Sequence, residues 1–256
     1  MHTFVNISLR MPVYNTILDK AVKGRKQLAV LVDPDKLSLK EVAALASRAG
    51  DTGADYFFVG GSLLVNNQLD ACIKTIKENA NVPVVLFPGN TMQLSWKADA
   101  ILFLSLISGR NAEMLIGRHV ISAPYLKVSP LEVIPCGYML IESGRQTAVQ
   151  YMSNTAPIPA DKNDIAICTA LAGEMLGLKL IYLEAGSGAQ RPVTAGMVKQ
   201  VKESIGIPLI VGGGIRTPET ASEICKAGAD LIVVGTALEK DAGLLGELSS
   251  AVHGRQ

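Results

Sequence analysis

Two glycine-rich segments in the C-terminal third of the chain have the composition of a phosphate site. Gly212, Gly213 and Gly214 follow the apolar run 208–211, and Gly235 with Thr236 follows the apolar run 231–234. Backbone without a Cβ turns sharply and brings its N–H groups against a ligand, as a phosphate bound by main-chain donors requires. We therefore predict that these two segments together bind a phosphate.

Two oxygen-bearing side chains near the N-terminus have the chemistry of a magnesium site. Asp33 ends the apolar run 27–32, and Ser62 follows the run 55–59 after two glycines. Mg²⁺ takes a few protein oxygens and fills its other positions with water and phosphate oxygens. The alternative is that Asp33 and Asp35 only cap the next helix. The sequence leaves both interpretations open.

A third group of polar residues surrounds the run 180–184. Tyr182 and Glu184 are two residues apart, so on a strand both side chains point the same way. Such a pair is able to hold a substrate hydroxyl, and the loop of Gly186, Ser187 and Gly188 follows directly. The alternative is a carboxylate tied to a neighbouring lysine or a backbone amide.

Other polar residues are weaker candidates. His2, His119 and His253 lie outside the predicted strand ends, so we expect them on the surface. Arg216 has three possible roles: it could reach a phosphate, cap a helix or pair with Glu219. The chain contains no nucleophile elbow and no phosphate loop of the GxxxxGK[ST] type.

The elements that position these residues alternate between strand and helix, which predicts an α/β fold. The 256 residues match the size of about 250 typical of one (β/α)8 TIM barrel, so we predict a single domain over residues 1–256. Only a dozen residues separate strands three and four, which predicts a modified barrel with a reduced third helix and an opening on that side. The predicted strands are 27–32, 55–59, 83–87, 100–104, 137–141, 180–184, 208–211 and 231–234. The predicted helices are 13–23, 38–49, 66–79, 111–121, 164–176, 194–204, 217–227 and a final helix.

Composition excludes several other classes. The 24 basic and 23 acidic residues balance, so no basic surplus points to nucleic acid. The four cysteines are far apart, which favours reduced thiols and a cytoplasmic location. The longest apolar run, 100–107, is too short for a transmembrane segment. We assign the high mean hydropathy of +0.29 to barrel strands, a homo-oligomer interface or an apolar ligand.

Several motifs, taken together and in order, resemble the geranylgeranylglyceryl phosphate synthase family, which is related to bacterial heptaprenylglyceryl phosphate synthase. They are VDPDK at 32–36, GGS at 60–62, FPG at 87–89, SLISGRN at 105–111, SNT at 153–155, PIP at 157–159, YLEAGSG at 182–188, GGG at 212–214 and GT at 235–236. Smaller bacterial relatives carry a lysine two residues before the metal aspartate, where this chain has Leu31. The chain therefore resembles the larger, archaeal-type group more closely.

The resemblance implies a specific reaction and site. It implies a TIM barrel that transfers a polyprenyl group from its diphosphate to the C3 hydroxyl of sn-glycerol 1-phosphate, with Mg²⁺, forming a membrane lipid precursor. Asp33 and Ser62 would bind the metal, and Tyr182 and Glu184 would act on the acceptor hydroxyl. The residues that would hold glycerol 1-phosphate are Tyr182, Leu183, Glu184, Ala185, Gly186, Ser187, Gly188, Gly213, Gly214, Gly235 and Thr236.

Two other functions remain open at this stage. The first is another phosphate-binding barrel, such as an aldolase-type lyase or an isomerase. A Schiff-base lyase needs a lysine at a strand end, and Lys36 lies three residues beyond Asp33. The second is a non-catalytic barrel that keeps only the phosphate site. An apolar groove for a prenyl tail would separate both from a prenyltransferase, and we expect it along 103–107, the missing third helix and Tyr151.

Overall fold

The fold is a closed barrel of parallel strands, seen in a computed structural model that describes residues 11–254. Within this range eight strands follow one another around the ring, and β1 pairs with both β2 and β8. The strands are β1 Gln27–Val32, β2 Tyr56–Val59, β3 Val84–Leu86, β4 Ala100–Leu106, β5 Glu132–Leu140, β6 Leu180–Glu184, β7 Leu209–Gly212 and β8 Leu231–Val234. The predicted TIM barrel is confirmed.

Helices surround the barrel. The α-helices are α1 Val13–Val22, α2 Leu39–Thr52, α3 Leu69–Asn79, α4 Arg118–Lys127, α5 Ala148–Ser153, α6 Asn163–Met175, α7 Ala195–Ser204, α8 Pro218–Ala227, α9 Thr236–Lys240 and α10 Leu245–His253. A π-helical turn, Glu113–Gly117, leads into α4, and a 3₁₀ turn, Ala242–Leu244, leads into α10. The helix predicted over 111–121 therefore begins as a π-helix and continues to Lys127.

Two cores result from the alternation of side chains along each strand. One set of side chains points into the barrel and includes Phe58, Tyr138 and Tyr182. The other set packs between the barrel and its helices and includes Leu183 and Val211. Strands buried on both faces explain the nearly continuous apolar runs in the sequence.

Several predicted boundaries are wrong, among them the start of β5 and the end of α2. β5 begins at Glu132 rather than at 137, because Pro135 stays in register with β4 and its carbonyl accepts a hydrogen bond from the Lys179 N–H. Helix α2 begins with a capping box of Ser38 and Glu41, and it continues beyond its predicted end at residue 49, past Gly50, to Thr52. It ends where Gly53 adopts a left-handed φ of 84°.

The connection between β3 and β4 differs from the other units. Residues 87–99, all of which the structure describes, contain no helix. The helix that would follow β3 in a regular barrel is therefore absent, which confirms the predicted reduction of the third helix. The sheet itself is closed here, since Val85 pairs with Ala100 and Leu86 with Ile101. The predicted opening of the barrel is therefore wrong, and the gap lies in the helical layer.

Helix α1 closes the floor of the barrel, opposite the strand ends that carry the candidate site. Val13 and Ile17 are buried in the barrel interior, and the Glu132 carboxylate accepts hydrogen bonds from the Val13 and Tyr14 N–H groups at 2.5 and 3.0 Å. This carboxylate satisfies two of the free donors at the helix N-terminus.

Removing this cap is expected to loosen the floor of the barrel. Glu132→Ala should lower the free energy of unfolding by about 1–2 kcal/mol, because hydrogen bonds to a charged group are lost. Urea unfolding measures the change. Glu223→Ala, on the exposed face of α8, is the control and should change stability by less than about 0.5 kcal/mol. Equal effects of the two substitutions would contradict the capping role.

Candidate active site

A cavity of about 1150 Å³, its open mouth included, lies at the carboxyl ends of the strands. It brings together residues from the loops after β1, β2, β6, β7 and β8. The predicted site residues that line it are Asp33, Ser62, Tyr182, Glu184, Gly186, Ser187, Gly188, Gly213, Gly214, Gly235 and Thr236. Residues separated by up to 200 positions in the sequence thus meet at one rim, where active sites of this fold occur.

Leu183 and Ala185 do not line this cavity. Both side chains are buried in the core between the barrel and its helices, at 0% and 1% exposure. Their orientation follows from strand alternation, because Tyr182 and Glu184 occupy the inward positions.

Tyr182 and Glu184 form the polar base of the cavity. The Glu184 side chain accepts a hydrogen bond from the Gly186 N–H, so the predicted tie to a backbone amide is present. The Tyr182 hydroxyl lies beside this carboxylate and lowers its pKa, but within residues 11–254 it has no hydrogen-bond partner that meets the usual distance and angle limits. A buried hydroxyl without a partner indicates a place for a polar ligand.

The environment shifts the acidity of Glu184. Burial raises the pKa of this carboxyl to about 7, and the Gly186 N–H opposes the shift. A group with a pKa near neutrality can both accept and release a proton at physiological pH. Glu184 therefore has the properties of a general base.

The loop after β7 approaches the base of the cavity as only glycine permits. A Cβ at Gly212 would lie 2.2 Å from the Tyr182 hydroxyl, and one at Gly213 would lie 2.4 Å from Glu184 Oε1. Gly213 and Gly214 also have left-handed φ values of 82° and 72°. The glycines therefore allow the backbone of this loop to contact the two polar side chains.

Asp33 and Ser62 are brought together as predicted. A Cβ on Gly61, next to Ser62, would lie 3.0 Å from Asp33 Oδ2, and both residues line the cavity. Asp33 Oδ1 accepts a hydrogen bond from the Asp35 N–H at 3.0 Å. Helix α2 is capped by Ser38, so the alternative that the two aspartates cap it is wrong.

These two residues fit a magnesium ion in their chemistry. They offer one carboxylate and one hydroxyl, both hard oxygen donors, beside an open cavity. Within residues 11–254 no three His, Cys, Asp or Glu side chains form a metal-binding cluster. A small protein donor set suits an ion that retains water and phosphate oxygens.

Three residues at the site have no role predicted from the sequence: Lys36, Glu239 and Gln93. Lys36 Nζ lies 3.5 Å from Asp33 Oδ2, and Glu239 Oε1 lies 3.5 Å from the same nitrogen. Burial raises the pKa of Glu239, with the Lys36 charge opposing it. Gln93 is buried and joins the loops after β2 and β3, since it donates to the Gly61 carbonyl and accepts from the Gly89 N–H.

An apolar groove of about 900 Å³, mouth included, adjoins the cavity. It lies between β4 and α4, beside the β3–β4 connection that lacks a helix. Of the predicted residues 103–107, Phe103, Leu104 and Leu106 line it, and Ser105 and Ile107 do not. Tyr151 is 75% exposed and does not line the groove; its neighbours Val149 and Met152 do. The groove and the cavity share Gly61, Ser62, Phe87, Tyr138 and Val149, so they form one continuous space.

The histidine predictions are partly wrong. His119 is 8% exposed and lies in the groove wall, with its ring 4.4 Å from that of Phe103 and Nε2 3.2 Å from Ser105 Oγ. The side chain of His253 is also largely buried, 2.9 Å from the Asp55 carboxylate. His2 lies outside the described residues. Arg216 lines the cavity and donates to the Ala189 carbonyl instead of pairing with Glu219.

The sequence of the chain matches the PcrB family over residues 21–251. The chain belongs to the PcrB family. Its relatives include the geranylgeranylglyceryl phosphate synthase of Chitinophaga pinensis, 54% identical over 94% of this chain and 96% of that protein. The synthase of the same name from Thermococcus kodakarensis is 42% identical over 96% of this chain and 100% of that protein. The family resemblance inferred from the motifs is confirmed.

Solved structures of similar fold agree with this family assignment. The (S)-3-O-geranylgeranylglyceryl phosphate synthase of Thermoplasma acidophilum, in complex with its substrate sn-glycerol-1-phosphate, superposes with a TM-score of 0.91 and 35% identity, covering 96% of this chain and 100% of that one. A tryptophan synthase from M. tuberculosis superposes at 0.60 with 16% identity, which shows the barrel fold alone. Relatives of this chain are thus prenyltransferases by name, and one of them binds glycerol 1-phosphate.

No helix within residues 11–254 combines the length and the apolar character that crossing a membrane requires.

Proposed function

We propose that this PcrB family member transfers a polyprenyl group, with geranylgeranyl as the first candidate, from its diphosphate to the C3 hydroxyl of sn-glycerol 1-phosphate. The observation that carries this proposal is the junction of two unlike spaces beside one carboxylate. A glycine-lined cavity meets an apolar groove at Ser62, next to Asp33. A sugar-phosphate lyase or a phosphate-binding barrel has no use for the groove.

The acceptor is assigned to the cavity. Its phosphate would lie between the loops after β6 and β8, where the Ser187 and Thr236 hydroxyls are 3.3 Å apart. The glycerol would then extend toward the Glu184 carboxylate and toward Tyr182, whose hydroxyl has no geometrically good partner within residues 11–254. The T. acidophilum relative, solved in complex with its substrate sn-glycerol-1-phosphate, supports the choice of this acceptor.

The donor is assigned to the groove and the junction. Its tail would lie against Phe103, Leu104 and Leu106, and its diphosphate would lie at the shared residues beside Ser62. We propose that Asp33 and Ser62 hold Mg²⁺, which when bound would neutralise the negative charge that develops on the leaving diphosphate.

The chemistry of the transfer requires one proton acceptor. The allylic C–O bond of the donor breaks, and diphosphate leaves with the electron pair. The acceptor C3 oxygen then bonds to the allylic carbon, and its proton passes to the Glu184 carboxylate. Tyr182 orients the acceptor, and burial of both residues keeps competing water away. A covalent enzyme nucleophile has no role in this sequence.

The experiment that tests the proposal is a direct assay. Purified full-length protein with Mg²⁺ should convert radiolabelled sn-glycerol 1-phosphate and geranylgeranyl diphosphate into a prenyl ether that extracts into organic solvent. EDTA should abolish the product, and glycerol 3-phosphate should be a much poorer acceptor, because its hydroxyls would meet Tyr182 and Glu184 with the opposite hand. Absence of product with donors from C10 to C35 would refute the proposal.

The phosphate cup is the part of the cavity between the loops after β6 and β8, where the Ser187 and Thr236 hydroxyls lie. Removing these two hydroxyls is expected to weaken acceptor binding. Ser187→Ala and Thr236→Val should each raise the KM for glycerol 1-phosphate about tenfold, because a hydrogen bond to a charged group contributes about 1.5 kcal/mol or more. The KM for the prenyl donor should change by less than about threefold. The two KM values are measured by steady-state kinetics, with each substrate varied in turn. Equal changes in both KM values would mean that the acceptor phosphate binds elsewhere.

A further inference from the structure

The ammonium group of Lys36 lies where two loops of the rim and helix α9 converge. Lys36 Nζ is 3.5 Å from Asp33 Oδ2, 3.4 Å from Ser187 Oγ and 3.5 Å from Glu239 Oε1. These oxygens come from the loop after β1, the loop after β6 and helix α9. The side chain of Lys36 is 43% exposed, so its ammonium still faces the open cavity.

The charge on the proposed acceptor makes this position important. A phosphate monoester carries a charge of about −1.5 to −2 at pH 7. Of the described residues that line the cavity, the cations are Lys36 and Arg216, and Arg216 already donates to the Ala189 carbonyl. Leu31, beside Gly235, adds an apolar side chain to the cavity wall. Of the two cations, Lys36 is the one that contacts the Ser187 hydroxyl, at 3.4 Å.

We propose that Lys36 binds the phosphate of the acceptor beside Ser187, and that Glu239 is a positioning residue that holds Lys36 there. The inference rests on the proposed function and adds to it the residue that recognises the charge of the acceptor. From the sequence, Leu31 in place of a lysine predicts that this phosphate depends more on backbone donors. The structure brings another lysine, Lys36, to the same cavity.

Glu239 has a distinct part in this arrangement. In the proposed active state Asp33 binds the metal, so its charge is no longer available to Lys36 alone. Glu239 is 13% exposed and stays as the second counter-ion at the same distance. Glu239 thus keeps the Lys36 ammonium beside the phosphate cup and prevents the lysine side chain from extending into solvent.

The first test measures binding without turnover. sn-Glycerol 1-phosphate is titrated into the protein in a calorimeter, without donor or metal. The proteins compared are wild type, Lys36→Met, Lys36→Arg, Glu239→Gln and the control Lys40→Met. Lys40 lies on the exposed face of α2, four residues beyond Lys36. We expect Lys36→Met to raise the Kd about tenfold or more, and Glu239→Gln to raise it about threefold to tenfold. The Kd values of Lys36→Arg and Lys40→Met should stay within about threefold of wild type. A Kd for Lys36→Met within twofold of wild type would overturn the proposal.

The second test separates the two substrates. With Mg²⁺ saturating, Lys36→Met should raise the KM for glycerol 1-phosphate about tenfold, and the KM for geranylgeranyl diphosphate should change by less than about threefold. A rise confined to the donor KM would overturn the acceptor contact and place the ammonium at the diphosphate. Wild-type protein that forms no ether but binds glycerol 1-phosphate through Lys36 would refute the proposed reaction and support the Lys36 contact. The two failures are therefore distinguishable.

Discussion

Asp33→Asn is expected to reduce turnover by about a thousandfold or more and to leave the fold intact. The amide keeps the shape of the side chain, and its Oδ1 can still accept the Asp35 N–H hydrogen bond. The negative charge is lost, and with it the anionic ligand that Asp33 offers beside Ser62. Charge stabilisation by a bound metal contributes several kcal/mol to a transfer of this kind, and each 1.36 kcal/mol corresponds to a factor of ten in rate.

The measurement combines kinetics with stability. Turnover is determined across a range of Mg²⁺ concentrations, and thermal unfolding shows whether the variant is folded. Asp35→Asn is the matched control, because Asp35 lies in the same loop but directs its carboxylate to the Val65 and Asn66 N–H groups instead of the cavity. Its turnover should fall by less than about tenfold. Near wild-type turnover of Asp33→Asn with the same Mg²⁺ requirement would show that the metal lies elsewhere.

Much of the fold follows from local sequence signals. β1, β6 and β8 have the predicted bounds because each is a short apolar run that a proline, a glycine or a charged residue ends abruptly. The predicted β5, 137–141, is too short at its N-terminal end. The strand tolerates Pro135 through the continued register with β4, a contact that only the folded chain contains.

The candidate site is predictable where strand ends determine it. Asp33, Ser62 and Glu184 directly follow or end strands, and strands fix both their position at the rim and their direction. Leu183 and Ala185 belong to the family motif, but strand alternation predicts that they point away from the cavity, and both are buried in the core outside the barrel.

Residues held by tertiary contacts could not be predicted in this way. Glu239 lies on a helix of five residues, and its role depends on a lysine about 200 positions earlier. His119 is different, because a usable signal exists: it shares one helix face with Ser122 and Leu126, at spacings of three and four. That face lies against the apolar groove, so a search for helical periodicity would have placed His119 inside.

Glu184→Gln is expected to lower turnover by about a hundredfold or more and to remove a pH dependence. Glutamine keeps an oxygen for the Gly186 N–H but cannot accept the acceptor proton, and general base catalysis contributes about 10²–10⁴-fold. In wild type kcat/KM should rise with pH through about 7, because burial raises the pKa of Glu184 to that value and the ionised form is the base. The variant should show no such rise. The exposed Glu142→Gln, on the neighbouring β5 loop, should behave as wild type.

Thermal unfolding without substrates gives an independent test of the same residue. The pKa of Glu184 is raised on folding from about 4.5 to about 7, so its protonated form stabilises the fold. This contribution is complete below about pH 4.5 and is lost as the pH rises through about 7, with an upper limit on the order of 1.4 kcal/mol per pKa unit. Glu184→Gln lacks it, so the Tm of wild type should fall relative to that of the variant between pH 5 and pH 8.5. A constant difference in Tm across this range, together with a pH-independent kcat/KM in wild type, would mean that Glu184 stays ionised and serves only to hold the Gly186 loop.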